Sequence, residues 1–307
     1  MGDRLILMKK QIDWQPFIPL VAGVYHDNKE TGGRPHTDEL VVVRSMLLQA
    51  WYGLSDPELE FACHDRLSFR NFLGFTHTIP DFSTIWKARD RLKQASVDDK
   101  IWAELQQQLD KKGYKIKEGV IQDAAFIEAD LGKKRNYKEK KAEKDGKEII
   151  YTEKQKQHMD KDATFSVKHG QVHYGYKNHI KCDMDYHLIR SYEITTASLH
   201  DSQVDLSQPD EVTYRDRAYT GTTTKAKGNA SMKRGNLSIK EKLRNKRISQ
   251  KRVPGERPFG VIKRVFNGER TFVKTIERVS IKEMFKGFAF NLYQLVTLER
   301  KKIAVAM

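Results

Sequence analysis

The sequence is poor in cysteine, in long apolar runs and in glycine-rich phosphate loops. Its two cysteines, Cys63 and Cys182, stand far apart and form no CxxC pair, which excludes a zinc ribbon or a disulfide scaffold and is typical of the reducing cytoplasm. Apolar runs such as 17–22 fall far short of the roughly 18 residues that a membrane helix needs, so we expect no membrane contact. No phosphate-loop or dinucleotide-loop motif is present, so ATP use is not indicated.

Acidic residues are scarce in one long segment. The 307-residue chain holds 56 Lys and Arg against 41 Asp and Glu, a net charge of +15. Residues 224–264 hold fourteen of the basic residues and two acids. Such a segment repels itself unless a polyanion neutralises it, so we predict that it contacts nucleic acid. Predicted phosphate contacts include Lys240, Arg244 and Arg247. The charge run at 132–158 has mixed signs, and we interpret it as a solvated charged insertion.

The first 115 residues predict a small all-α domain. Thr37 is placed to cap a helix from Asp38 to about Trp51, and residues 55–58 read as a capping box with proline in the first turn. Further helices are predicted over 66–73, from Asp81 or Ser83 to about Leu92, and over 97–109.

The pattern changes after Gly119 to strands followed by helices. Order of this kind predicts an α/β domain over 116–307, with a mixed sheet flanked by helices. The predicted strands are 120–127, a hairpin of 163–168 and 172–182, 187–196 and 212–216, with a helix possible at 198–206 and further helices at 239–249, 254–266 and 281–303.

Three acidic residues in this second half occupy positions that regular secondary structure does not require, so they are candidates for a catalytic or metal-binding role. Asp123 lies in an apolar strand, Asp216 closes a short strand, and Glu256 sits inside the basic segment. Each alone has an ordinary explanation as a strand-end acid, a turn residue or a first-turn helix residue. Together they could meet at one end of a sheet, where hard oxygen ligands suit Mg²⁺ or Mn²⁺. Two such ions, about 3.5–4 Å apart, activate a hydroxyl and stabilise the leaving oxygen of a phosphodiester.

The chain resembles, over nearly its whole length, a DDE transposase of the insertion-sequence-5 group in the insertion-sequence-4-like superfamily. Residues 123–127 and 215–219 are similar to the blocks that carry the first and second catalytic Asp. Arg252, Glu256 and Lys263 have the spacing of the family's Tyr-Arg-Glu-Lys signature, with Ser249 at the tyrosine position as a departure. Further similar segments are 33–36, 52–56, 65–70, 80–85, 173–179 and 195–201.

The resemblance implies a ribonuclease-H-like catalytic domain over 116–307, preceded by a helical domain over 1–115 for DNA-end binding or dimerisation. It implies that Asp123, Asp216 and Glu256 bind two Mg²⁺ ions, with Mn²⁺ as a substitute. A water then cuts at the element's end, and the freed 3′ hydroxyl attacks target DNA in line. Arg252 and Lys263 would neutralise DNA phosphates near Glu256, and Arg257 and Arg264 of the same basic segment are further predicted DNA contacts.

The resemblance also implies the biological setting. The partners are double-stranded DNA, as the element's terminal inverted repeats and the target, and a second copy of the chain in a homodimer. The protein would serve a bacterial or archaeal insertion sequence, in the cytoplasm at the nucleoid. Only 40 positions separate Asp216 from Glu256, too few for a large β insertion, so we expect a compact core.

Two alternatives remain open from the sequence. The chain could be a catalytically silent DNA-binding protein derived from a transposase, although all three carboxylates are present. It could also be a ribonuclease-H-type nuclease without strand transfer, which the formation of target-joined products would exclude.

Overall fold

A computed structural model describes residues 3–25, 35–131, 145–146, 152, 160–168, 170–221, 224–225 and 227–301. Most of the predicted charged insertion at 132–158 lies outside these ranges. Within them, no helix is both long enough and apolar enough to cross a membrane.

The N-terminal part is helical, as predicted. Side chains cap the N-termini of its third and fourth helices. The Ser55–Glu58 capping box is confirmed, because each residue accepts the other's backbone N–H. Asp38, and not Thr37, caps the third helix and accepts from Val41 N at 3.0 Å; the helix begins one residue later than predicted, which moves the cap by one. The helices are α1 Arg4–Lys9, α2 Phe17–Ala22, α3 Glu39–Tyr52, α4 Asp56–Asp65, α5 Leu67–Leu73, α6 Phe82–Gln94 and α7 Val97–Lys111.

The second part is built on a mixed sheet, which confirms the predicted strand-rich segment and its hairpin. Strand β3 runs antiparallel to β1, β2 and β4, whereas β5 is parallel to β1 and β6 is parallel to β5. The path across the sheet is β2-β3-β1-β5-β6, with β4 on β3 and β7 on β1. The described strands are β1 Val120–Ala129, β2 Thr164–Lys168, β3 Gln171–Asp183, β4 Ile189–Thr196, β5 Val212–Arg215, β6 Gly228–Ser231 and β7 Arg270–Thr271.

The prediction of a possible helix at 198–206 is wrong, because within this segment only a 3-10 turn forms, at Asp201–Gln203. The buried Lys177 side chain on β3 donates to the Leu199 carbonyl and to the Asp201 carboxylate. Gln122 on β1 donates to the Val204 carbonyl at 2.8 Å. These contacts anchor the segment to the sheet at Leu199, Asp201 and Val204.

Three helices complete the chain: α8 Ile239–Arg252, α9 Glu256–Arg264 and α10 Ile276–Arg300. Pro254 was predicted to open α9, but it lies in a 3-10 turn, Val253–Gly255, between α8 and α9. Helix α10 begins five residues before the predicted start at 281. Its first turn is capped from a distant segment, since Asp162 Oδ2 accepts from Ile276 N at 2.8 Å and Asp160 Oδ1 accepts from Thr275 N.

The N-terminal helices and the sheet share one hydrophobic core through α10. Phe288, fully buried on α10, has its ring 5.7 Å from that of Phe17 and 6.5 Å from that of Trp14. Trp51 on α3 likewise lies against Phe266, 5.2 Å between ring centroids. Buried apolar residues from both parts therefore form a single cluster, so the helices and the sheet hold each other in place.

Replacing Phe288 with Ala tests this shared core. We expect the free energy of unfolding to fall by about 3–5 kcal/mol, since a buried aromatic side chain is lost and leaves a cavity. The measurement is urea denaturation followed by far-ultraviolet circular dichroism. Phe272, which is 73% exposed, is the matched control, and Phe272→Ala should change stability by no more than about 0.5 kcal/mol. Equal effects of the two variants would contradict the shared core.

Candidate functional site

Strand pairing brings Asp123 and Asp216 side by side. In the parallel pair β1–β5, Val120 lies opposite Thr213 and Ile121 lies opposite Tyr214. The same register, continued for two residues, sets Asp123 level with Asp216, which directly follows the last residue of β5. Residues at the same level on neighbouring strands project from the same face of a sheet. Two of the three predicted carboxylates therefore meet where β5 ends.

Both carboxylate oxygens of Asp123 are already engaged. Its Oδ2 accepts from Arg252 Nη2 at 2.8 Å, and its Oδ1 accepts from the Ala124 backbone N–H at 2.9 Å. Burial raises the pKa of Asp123, and the nearby Asp216 charge raises it further, while Arg252 and the Ala124 N–H oppose the rise. Burial therefore favours the protonated form of the Asp123 carboxyl group, and the positive charge of Arg252 favours the ionised form.

Asp216 has a structural role as well. Its Oδ1 accepts from Ala218 N at 2.7 Å and so starts the 3-10 turn Arg217–Tyr219. The ordinary reading of Asp216 as a turn residue is therefore correct, and it does not compete with a role as a metal ligand, because the turn fixes where the carboxylate stands.

The third acid is held near the sheet by a glycine. Gly255 lies so close to β1 that a Cβ built on it would stand 2.5 Å from Ile121 Cγ2. Ile121 is buried and lies two residues before Asp123, on the same face of β1. Glu256 follows Gly255 directly, as the exposed first residue of α9. Lys263 comes seven residues later in that helix, so the two residues lie on the same helical face.

A buried polar network behind the sheet fixes the strands that carry the two aspartates. Gln122 Oε1 accepts from Arg215 Nε at 3.1 Å and from Arg215 Nη2 at 2.8 Å. Arg215 is fully buried and also pairs with Asp205. This network was not predicted, although an arginine inside a short strand is a sequence signal for one, because a buried guanidinium needs partners.

Helix α8 packs against the rest of the protein along one stripe of residues, and its opposite side faces solvent. The stripe contains the buried Asn245 and Ile248 and ends at Arg252, which points inward at Asp123. Ser249, at the position of the signature tyrosine, is on the exposed side. The other basic residues of α8 that are exposed are Lys240, Lys242, Lys246, Arg247 and Lys251.

The remaining predicted DNA contacts differ in their surroundings. Arg244 donates to the Ser231 carbonyl at 2.8 Å, and Arg257 donates to Gln294 on α10 at 3.1 Å, so part of each guanidinium is engaged within the protein. Arg264 is exposed and Lys263 is half-buried.

The chemistry of the acids fits a divalent cation, although they are not gathered closely. Asp123, Asp216 and Glu256 supply only carboxylate oxygens, the donors that Mg²⁺ and Mn²⁺ prefer. Within the described ranges, no three His, Cys, Asp or Glu side chains lie close enough together to hold a metal ion. Asp123 is paired with Arg252 and Glu256 is exposed at the start of α9, so a cation shared by the three acids would require these side chains to rearrange.

Comparison with known families covers both parts of the chain. Residues 116–292 match the family model described as Transposase DDE domain. Residues 1–91 match a second model, described as Transposase domain (DUF772). No solved structure matches the chain.

Exchange of Gly255 for Ala tests the close approach of the 3-10 turn to β1. The added methyl group must displace the buried Ile121 side chain or the turn, so we expect a loss of about 1–3 kcal/mol in the free energy of unfolding. The matched control is Gly260, inside α9, where a Cβ meets no atom within 4 Å. Gly260→Ala should be neutral or stabilising by up to about 1 kcal/mol. Chemical denaturation of both variants is the measurement, and a neutral Gly255→Ala would contradict the contact.

Proposed function

Since the chain belongs to the Transposase DDE domain family, we propose that it is the transposase of a bacterial or archaeal insertion sequence of the insertion-sequence-5 group, which cuts DNA at the element's ends and joins them to a target. Membership in the family makes it a DNA transposase, a protein of DNA recombination. The group, the metal requirement and the residues that act are our proposals.

The single observation that carries the proposal is the parallel pairing of β1 with β5, whose register, extended by two residues, sets Asp123 level with Asp216. Strands β4, β3 and β1 are antiparallel and β5 and β6 continue parallel to β1, an arrangement that supports a ribonuclease-H-like core. Between Asp216 and Glu256 the described residues contain only a 3-10 turn, the four-residue β6, α8 and a second 3-10 turn, in keeping with the compact form expected from the sequence.

In this mechanism Asp123, Asp216 and Glu256 hold two Mg²⁺ ions, or Mn²⁺ in their place. When bound, such ions lower the pKa of a hydroxyl nucleophile and neutralise charge on the leaving oxygen. The parallel register keeps the two aspartates at a fixed separation. The Gln122–Arg215 contact stiffens the strands that bear them, and Gly255 lets Glu256 start its helix beside the sheet. No Ser or Tyr nucleophile is required, because no covalent bond between protein and DNA forms.

DNA is proposed to lie along the exposed side of α8 and to reach the acids at its C-terminal end. The helix presents a row of exposed Lys and Arg and joins, through a three-residue turn, the helix that starts at Glu256. Lys263 and Arg264 extend this basic surface onto α9. Phosphates bound along the helix would therefore be led toward the carboxylates.

The N-terminal helices are proposed to recognise the element's ends or to form a dimer, since two ends must be brought together. Phe17 and Trp14 pack these helices against α10. A DNA end bound to the helices would therefore be held in a fixed orientation relative to the sheet. We place the protein in the prokaryotic cytoplasm, at the nucleoid, in line with its DNA substrate.

Neutralising any one of the three acids should abolish cutting. Asp123→Asn, Asp216→Asn and Glu256→Gln should each reduce 3′-end cleavage by more than about a hundredfold and should leave DNA binding largely intact. The expected loss is larger than the roughly 10–100-fold that follows when a residue supporting a metal ligand is removed. The assay supplies Mg²⁺ and linear DNA that carries the sequences flanking the gene.

The control for these variants is Asp210→Asn, which removes an exposed carboxylate just before β5, at the opposite end of that strand. It should cut as the wild type does. A wild-type protein that binds the ends tightly and never cuts would favour the catalytically silent alternative, and cutting without joined products would favour a plain nuclease. Cleavage retained in one of the three variants removes that residue from the site.

Removing the exposed cations of α8 should weaken the salt dependence of DNA binding. A variant with Lys240, Lys242, Lys246 and Arg247 changed to Ala should show a slope of log K against log salt that is shallower by up to about 3.6, since each phosphate contact contributes about 0.9. The control changes four exposed lysines near α7 to Ala: Lys100, Lys111, Lys115 and Lys117. If the two variants had the same slope, α8 would not be the DNA path.

A further inference from the structure

The ion pair between Arg252 and Asp123 puts a protein cation where the proposed function requires a metal ion. Arg252 Nη2 lies 2.8 Å from Asp123 Oδ2, and both side chains are largely shielded from solvent, 14% and 24% exposed. Among the described residues, the other hydrogen bond to the Asp123 carboxylate comes from the backbone N–H of its neighbour Ala124. A divalent cation bound to Asp123 would stand close to the Arg252 guanidinium, and because like charges repel, the two cations compete for this carboxylate.

Arg252 also lies next to the proposed DNA path, although it points inward. It is the last residue of α8, whose exposed side bears the basic residues, and the residue before it, Lys251, is exposed and reaches Tyr214. Its Nε is buried and has no hydrogen-bond partner among the described residues. A buried donor without a partner is costly, and a guanidinium offers a planar pair of donors that matches a phosphate. Phosphate binding would satisfy the Nε that Asp123 leaves unpaired.

We infer that Arg252 acts as a positioning residue that makes metal binding depend on DNA. Without DNA, the Arg252 guanidinium occupies Asp123 and weakens the affinity of the site for a divalent cation. A DNA phosphate draws the guanidinium away from Asp123 and frees Oδ2 for the cation. Linkage then requires that the cation also strengthens DNA binding by the same factor.

This coupling has a physical benefit for a nuclease. A carboxylate that is mostly buried needs a compensating charge at all times, and here one cation replaces another without leaving Asp123 unpaired. The cutting centre is completed only when DNA is present. The inference rests on the proposed function, because it takes Asp123 as a metal ligand.

The test measures Mn²⁺ binding by electron paramagnetic resonance, with and without a 20-base-pair duplex of arbitrary sequence, since the phosphates and not the bases are the effector. For the wild type we expect weak Mn²⁺ binding that DNA strengthens by about 5–150-fold, the usual range of such coupling. Arg252→Gln should bind Mn²⁺ more tightly than the wild type without DNA, and most of the gain caused by DNA should disappear.

Lys251→Gln is the matched control, because it removes one positive charge from the adjacent residue, which does not contact Asp123. It should weaken DNA binding and leave Mn²⁺ affinity without DNA unchanged, which separates direct competition from a general electrostatic effect. Arg252→Lys, which keeps the charge on a shorter side chain, serves if the Gln variant does not fold, and should lie between the wild type and the Gln variant.

Two results overturn the inference in different ways. If Arg252→Gln binds Mn²⁺ no better than the wild type, or keeps the full gain from DNA, the competition is absent while the proposed function stands. If Asp123→Asn leaves the Mn²⁺ affinity measured in the presence of DNA unchanged, Asp123 is not a metal ligand, and the proposed site and the inference fail together.

Discussion

The parallel register between β1 and β5 is the constraint on which the rest of the site depends. It sets Asp123 level with Asp216, although 93 positions of chain separate them, and no local feature of either segment could do so. The other elements maintain that register: β3 pairs along nine residues of β1, and the buried Arg215 spans from β5 to Gln122 on β1. A slip of one residue would turn one aspartate to the opposite face of the sheet.

The third carboxylate depends on a different kind of contact. Gly255 permits a turn to rest on Ile121, and α8 and α9 leave that turn in two directions, one bearing exposed cations and the other beginning with Glu256. The basic surface of α8 and Glu256 therefore lie on either side of one short turn that rests on β1. At the end of α8, Arg252 reaches Asp123, so this short segment connects the proposed DNA path to the candidate metal ligands.

The sequence allowed the three acids to be chosen because their pattern was unusual: an acid in an apolar strand, one that closes a strand and one among cations. Helix α4 and its capping box were equally predictable, since both depend on residues within one turn. What could not be predicted arises between distant segments. Asp162 caps α10 from 114 residues away, Lys177 anchors the segment after β4 through the Leu199 carbonyl, and Arg252 turns inward because its stripe of α8 lies on the protein.

The central claim is that Asp123, Asp216 and Glu256 together bind the metal ions that cut DNA. The most direct test is a crystal structure of the protein with Mn²⁺ and an uncleaved duplex of the element's end, with manganese located by anomalous scattering. The account predicts two manganese peaks about 3.5–4 Å apart, held by Asp123, Asp216 and Glu256, with Arg252 on a phosphate. Manganese bound elsewhere, or bound without these three carboxylates, would contradict it.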